Sequence, residues 1–201
     1  MKNLFILLLV FNTFLFAEMD LADQGCSFSK QNIVTVGWKA YKTPSKLGVS
    51  GVFDDVNYEG VKKGKSLKEL LEGSSVIIKT HSVNSKNEGR DLKLVNSFFK
   101  IMSDDVITAK VTDITSKGDK NIVNVAVSMN GITKRVPMNY TYNKGIFTAS
   151  GVIDLFDFQA SQALKSINKA CFDLHRGKTW NDVTISFKMN INCDNNIAKK
   201  Q

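Results

Sequence analysis

In the stretch Val123-Asn124-Val125-Ala126-Val127-Ser128-Met129, the larger apolar residues Val123, Val125, Val127 and Met129 alternate with Asn124, Ala126 and Ser128. Successive side chains of a strand point to opposite faces, so this period of two describes a strand with one buried face. The same pattern continues downstream in Val136, Met138, Tyr140 and Tyr142, in Phe147, Ala149, Gly151 and Ile153, and in Val183, Ile185, Phe187, Met189 and Ile191. Upstream it appears in Val34, Val36, Trp38 and Ala40, in Val49, Gly51 and Phe53, in Val76, Ile78 and Thr80, and in Ile107, Ala109 and Val111. Eight strands result. Gly118-Asp119-Lys120-Asn121 and Asn143-Lys144-Gly145 fold neighbouring runs back as hairpins, because Gly and Asn tolerate the left-handed backbone of such turns. Eight antiparallel strands with one apolar face must pack as two sheets or close on themselves, and closure removes both exposed edges.

The expected fold class is therefore all-β: an eight-stranded antiparallel barrel with one longer and one or two short helices. Ser66-Leu67-Lys68-Glu69 has the spacing of a capping box, so a short helix carrying Leu70 and Leu71 starts there and Gly73 ends it. The longer helix is expected from Gln159 to Leu174, where Leu164, Ile167, Cys171 and Leu174 form one apolar stripe and Gly177 follows as a stop. This helix is expected to cover one mouth of the barrel.

The chain of 201 residues opens with Met1-Lys2-Asn3 and an apolar run from Leu4 to Ala17. That layout reads as a signal peptide over residues 1–17, leaving residues 18–201 as one domain in the periplasm. The run falls short of the roughly 20 apolar residues that cross a bilayer as a helix, so no permanent span is expected. The polar residues Asp23-Gln24-Gly25 before Cys26 argue against lipid attachment at that cysteine.

The net charge of +8 suits anionic head groups or a negatively charged envelope. The lysines are scattered instead of forming a block, which argues against nucleic acid as a partner. Only two histidines occur, His81 and His175, without partners at ligand spacing, so no metal or cofactor is expected. No GxSxG, HExxH or glycine-rich phosphate loop is present, so the chain is not expected to be an enzyme.

Three cysteines, Cys26, Cys171 and Cys193, permit one disulfide in an oxidising compartment. If the first strand pairs with the last, Cys26 and Cys193 lie beside one another at the closure seam, and their bond would contribute about 4 kcal/mol in the chain-entropy model. The competing pair, Cys171 with Cys193, would tie helix to strand.

Ser82-Val83, then Gly89-Arg90-Asp91-Leu92-Lys93-Leu94, then Phe98-Phe99 resembles the hallmark segment of the YceI-like family, exported lipid-binding proteins with a lipocalin-like barrel. Val49-x-Gly51-x-Phe53 and Gly131-Ile132-Thr133-Lys134-Arg135-Val136 resemble two further strands of that family, and the likeness runs from residue 27 to residue 193. There are departures. Lys93 stands where the family usually has histidine, Arg135 where it has proline, and Leu155 and Gln159 where it has arginine and glycine.

The resemblance implies a barrel interior holding a long isoprenoid or fatty-acyl chain of an amphiphilic lipid. Trp38, Phe53, Ile78, Val125, Phe147, Ile153 and Phe187 are the candidate lining residues, with Phe98 and Phe99 at the mouth. Arg90 and Lys93 either meet the lipid head group or anchor their loop. The resemblance also leaves a homodimer open. The alternative is a barrel filled solid by its own side chains, an envelope interaction or stress protein acting through its basic surface.

Overall fold

A computed structural model describes residues 26–175 and 178–195. The expected signal peptide and Gly177 lie outside the described residues. All eight strands expected from alternation form: β1 (Cys26–Lys42), β2 (Leu47–Phe53), β5 (Ser75–Lys79), β7 (Val106–Lys117), β8 (Lys120–Met129), β9 (Ile132–Asn143), β10 (Ile146–Asp154) and β11 (Thr179–Asn195). Three short strands raise the count from eight to eleven: β3 (Val56–Glu59), β4 (Lys63–Gly64) and β6 (Val83–Asn84). Two residues are too few to display a period, which is why β4 and β6 are silent in the sequence.

The strands form one curled antiparallel sheet in the order β3-β5-β7-β8-β9-β10-β11-β1-β2-β6, with β4 pairing the outer part of β1. The curl is a half-barrel in which the first and last long strands are neighbours, Trp38 opposite Ile185 and Val36 opposite Phe187. Its two ends meet in one stretch of chain, because β2 runs directly into β3 through Asp54 and Asp55. That bend is held by the Asp54 amide donating to the Ser82 carbonyl (3.0 Å) and the Lys79 amide donating to the Asp55 carbonyl (3.1 Å). At the hairpin between β9 and β10, Lys144 and Gly145 have φ of 47° and 78°, the left-handed pair that matches the twist of the flanking strands.

Helices close the two ends unequally. At one end, α1 (Leu67–Leu71) begins at Ser66, whose hydroxyl accepts from the Glu69 amide (3.1 Å) while Glu69 accepts from the Lys65 amide (2.8 Å). The capping box thus reaches back to Lys65 instead of Ser66. Leu67, Leu70 and Leu71 are buried and stopper this end. Beside them Tyr140 stacks on Phe147 with centroids 5.2 Å apart, and Met189 and Ile191 are fully buried, so this half is packed solid.

The opposite end is covered by α2 (Glu88–Ser97), α3 (Ser161–Ala170) and α4 (Phe172–His175). Three expectations are corrected here. The Arg90-Asp91 segment is not a turn or loop but the first turn of α2, started by Asn87, whose side chain accepts from the Arg90 amide (2.9 Å). The helix expected over 159–174 is broken at Cys171 into α3 and α4, and Gln159 is a left-handed residue (φ 53°) ending a 3₁₀ turn over Leu155–Phe158. Thr80, expected to close the strand of Val76 and Ile78, lies instead with His81 in a 3₁₀ turn over Thr80–Ser82.

Cys171 is a buried free thiol, which removes the pairing of Cys171 with Cys193. The register sets Cys193 opposite Phe28 and Cys26 opposite Asn195, two positions away on the same face of β1. The Cys26 side chain lies outside the described residues.

Leu70 is 0% exposed and Leu92 55% exposed. Leu70→Ala is expected to cost about 2–5 kcal/mol and Leu92→Ala less than about 0.5 kcal/mol in urea denaturation. Equal costs would contradict the stopper role of α1.

Candidate functional site

Inward-facing residues leave space above the solid half. A cavity of about 110 Å³ is bounded by Trp38, Phe53, Ile78, Val125, Phe147 and Phe187, with Leu71, Tyr58 and Ser74 at its inner end. For scale, an apolar cavity of roughly 150 Å³ already accepts a benzene ring. A second void of about 110 Å³ lies nearer the helical cover, against Phe98, Phe99, Leu94, Ile153 and Ile167. It shares Trp38, Phe53 and Ile153 with the first.

A third, open space of about 380 Å³ begins where the second stops, sharing Trp38, Ala40, Leu94 and Ile167 with it, and passes out between α2, the end of β1 and the α3–α4 junction. Trp38 borders all three. The spaces adjoin one another around it and mark a path from solvent to the middle of the sheet, with shared side chains standing between them, and the interior is not filled solid.

Every lining residue expected from the sequence borders this path: Trp38, Phe53, Ile78, Val125, Phe147, Ile153 and Phe187 on the strands, Phe98 and Phe99 beneath α2. Phe99 joins the two groups by edge contacts, 5.2 Å from Phe98 and 6.0 Å from Phe53. The position of Trp38 depends on Gly51, directly opposite it across β1 and β2. A Cβ on Gly51 would lie 2.5 Å from Cζ2 of Trp38 and 2.7 Å from the Asn84 carbonyl oxygen, so only glycine lets the indole lie across β2 there.

The path is poor in polar groups. Tyr58 lies at the inner end, where burial pushes its phenol above the usual range and a hydrogen bond with Ser74 partly opposes that rise. Nε1 of Trp38 is buried without a hydrogen-bond partner among the described residues. An orphan donor of this kind costs about 1–3 kcal/mol. It sits at the throat where the inner cavities meet the mouth.

The mouth is cationic. Lys42, Arg90 and Lys93 line it, with Tyr41, Asn87 and Thr179, and among the described residues no carboxylate lines it. Of the two roles the sequence left open, Arg90 takes the anchoring one, at a position that also lines the mouth. Its Nε donates to the Ser85 hydroxyl (2.7 Å) and its Nη2 to the Ser85 carbonyl (2.9 Å), while Asp91 accepts from the Ser85 amide (3.0 Å) and hydroxyl. Arg90 and Asp91 thus anchor the start of α2 on one serine, and the guanidinium still borders the mouth.

Lys42, Leu94, Ile167 and Leu174 are mouth or lining residues that the sequence reading passed over. The signal for Lys42 was present: it continues the inward series Trp38, Ala40 by one more period of two. His81 borders a surface hollow on the other side of Val83 and Asn87, and no cluster of three metal-ligating side chains occurs among the described residues.

A curled antiparallel sheet around apolar cavities, covered by helices at one end, defines a class of small half-barrel β-proteins. Within that class the chain belongs to the YceI-like family, whose domain it matches over residues 30–191. No curated protein matches it.

Among solved structures it is similar to BcnA of Burkholderia cenocepacia, at 15% identity and a TM-score of 0.55, covering 79% of this chain and 96% of that one. It is similar to a polyisoprenoid-binding domain from Saccharophagus degradans implicated in plant cell wall breakdown, at 13% identity and a TM-score of 0.56, covering 85% and 99%. A cysteine mutant of the Campylobacter jejuni YceI protein shares 18% identity at a TM-score of 0.51, covering 73% and 85%. At these identities the likeness is one of fold.

Trp38→Phe removes the orphan N–H along with some packing, and the two effects oppose each other. It is expected to destabilise the lipid-free protein by no more than about 1 kcal/mol, against about 3–5 kcal/mol for Trp38→Ala. Urea denaturation of the two variants checks this, and a Phe variant as damaging as the Ala variant would mean the N–H is satisfied.

Proposed function

We propose that this chain is an exported, periplasmic carrier that holds an amphiphilic lipid, an isoprenoid or fatty-acyl derivative, inside its sheet without altering it covalently. The observation that carries this reading is the row of adjoining apolar cavities around Trp38, which ends at a mouth bearing Lys42, Arg90 and Lys93. Burial of a methylene is worth about 0.8 kcal/mol, so a dozen of them supply roughly 10 kcal/mol before the costs of association are subtracted. Arg90, Lys93 and Lys42 supply donors for a carboxylate or phosphate left at the mouth. The family membership and the polyisoprenoid binding named for the Saccharophagus relative point the same way. The leader-like residues 1–17 support export.

The filled-barrel alternative requires an interior without space, and the cavities beside Trp38 and Phe53 argue against it. Native mass spectrometry of protein taken from its own periplasm, without detergent, tests the carrier reading. A discrete lipid adduct is expected, and Val125→Trp, which puts an indole into the inner cavity, is expected to lose it. A bare chain mass in every preparation overturns the proposal.

The same reading includes a Cys26–Cys193 bond across the ends of β1 and β11. It is supported by Cys171 being free and by the shared face of β1. Peptide mapping without reductant is expected to recover residues 26 and 193 in one linked species, with Cys171 alkylated only after unfolding. Recovery of Cys26 and Cys193 as separate alkylated peptides ends that part of the proposal.

A further inference from the structure

The end of the sheet that carries the mouth is amphipathic in a way a carrier interior does not require. Leu47, Phe172 and Leu174 are 57%, 64% and 67% exposed, and Leu174 borders the mouth itself. Leu47 is paired across the hairpin with Lys42. Beside them Trp180 donates from Nε1 to the Thr43 carbonyl (2.8 Å), which fixes its ring against the 42–47 hairpin. Nζ of Lys178 lies 4.3 Å and Nζ of Lys46 5.0 Å from the centre of that ring, and Lys46 is also 5.3 Å from the Tyr41 ring.

Asp182 neutralises Lys46 (2.8 Å), and Asp173 stands beside Phe172 on α4. Lys42, Arg90, Lys93 and Lys178 remain as positive charges without a carboxylate partner among the described residues. The other large exposed hydrophobics are spread more widely: Leu92 lies on α2, Ile101 and Phe156 on 3₁₀ turns, Val152 on β10, and Val61 and Ile146 toward the stoppered end.

Exposed aliphatic and aromatic side chains flanked by lysines, with a tryptophan and a tyrosine between them, match the chemistry of a bilayer interface, where rings sit at head-group depth and ammonium groups meet lipid phosphates. We infer that this end docks on an anionic bilayer surface and sets the mouth against the lipid from which a guest enters or to which it returns. The inference rests on the carrier reading for its purpose, and it stands on the surface chemistry alone for its test. Charge complementarity selects the partner, because a neutral bilayer would meet four unpaired cations with no gain.

Sedimentation of the purified chain with vesicles of phosphatidylcholine containing about one-third phosphatidylglycerol is the experiment. Binding is expected at low salt, with release as ionic strength rises and little retention on pure phosphatidylcholine. Each basic residue near an anionic surface contributes about fivefold to partitioning, so Lys42→Gln with Lys178→Gln is expected to weaken it roughly 25-fold. Phe172→Ser with Leu174→Ser is expected to weaken it on either side of the salt range. Lys117→Gln with Lys120→Gln, at the far hairpin, serves as the control and is expected to leave partitioning within about twofold.

Equal retention on both vesicle types, or an equal loss in the far-hairpin pair, overturns the docking surface. A lipid adduct by native mass spectrometry together with no vesicle binding sinks the docking inference and leaves the carrier reading. Vesicle binding by a chain that never carries lipid does the reverse.

Discussion

An apolar interior that its own side chains do not fill is a constraint on everything around it. At about 24 cal/mol per Å³, a void of about 110 Å³ costs about 3 kcal/mol, and the two inner voids together cost about as much as the lower end of a domain's net stability. The sheet must therefore be held open by interactions elsewhere. Two features do this. One is the solid half, where Leu70, Leu71, Phe147, Met189 and Ile191 are buried. The other is the long antiparallel pairing of β1 with β11, which runs over most of both strands apart from slips at Lys30/Val34 and Ala40/Lys42. A guest that enters the path would relieve the void and stabilise the fold by the same contacts.

The throat shows how local backbone and interior chemistry are joined. Gly51 makes room for Trp38, and Trp38 brings a buried indole N–H into a path walled mostly by hydrocarbon. A hydrogen-bond acceptor on a guest, placed at this depth, would meet that donor. At the mouth the same economy applies to charge: Ser85 binds both Arg90 and Asp91, fixing the first turn of α2, so a guanidinium is held at the opening without a flexible loop.

Period two made most of this legible. Each candidate lining residue taken from the strands, from Trp38 to Phe187, borders the inner cavities, because alternation and inwardness are the same property of a strand. The family-like segment revealed its importance but not its shape: Glu88–Ser97 is a helix with no buried residue, and its apolar positions Leu94 and Val95 are only half covered, so no strong stripe announced it. The break at Cys171 was hidden because Leu164, Ile167, Cys171 and Leu174 keep helical spacing across it. Trp180 and the lysines around it come together from β1, the 42–47 hairpin and β11, and no sequence window holds all three.

The neighbourhood of β1 and β11 has a consequence for how the molecule comes into being. β1 pairs locally with β2 and β4, but its longest ladder forms with the last 17 residues of the described chain, Thr179–Asn195. Hairpins from β7 to β10 have short reach and can assemble as the polypeptide emerges, but the wrap stays incomplete until the tail arrives. A ribosome that delivers this polypeptide residue by residue thus holds an unfinished sheet until Thr179–Asn195 is out, and that late strand is what joins β10 to β1.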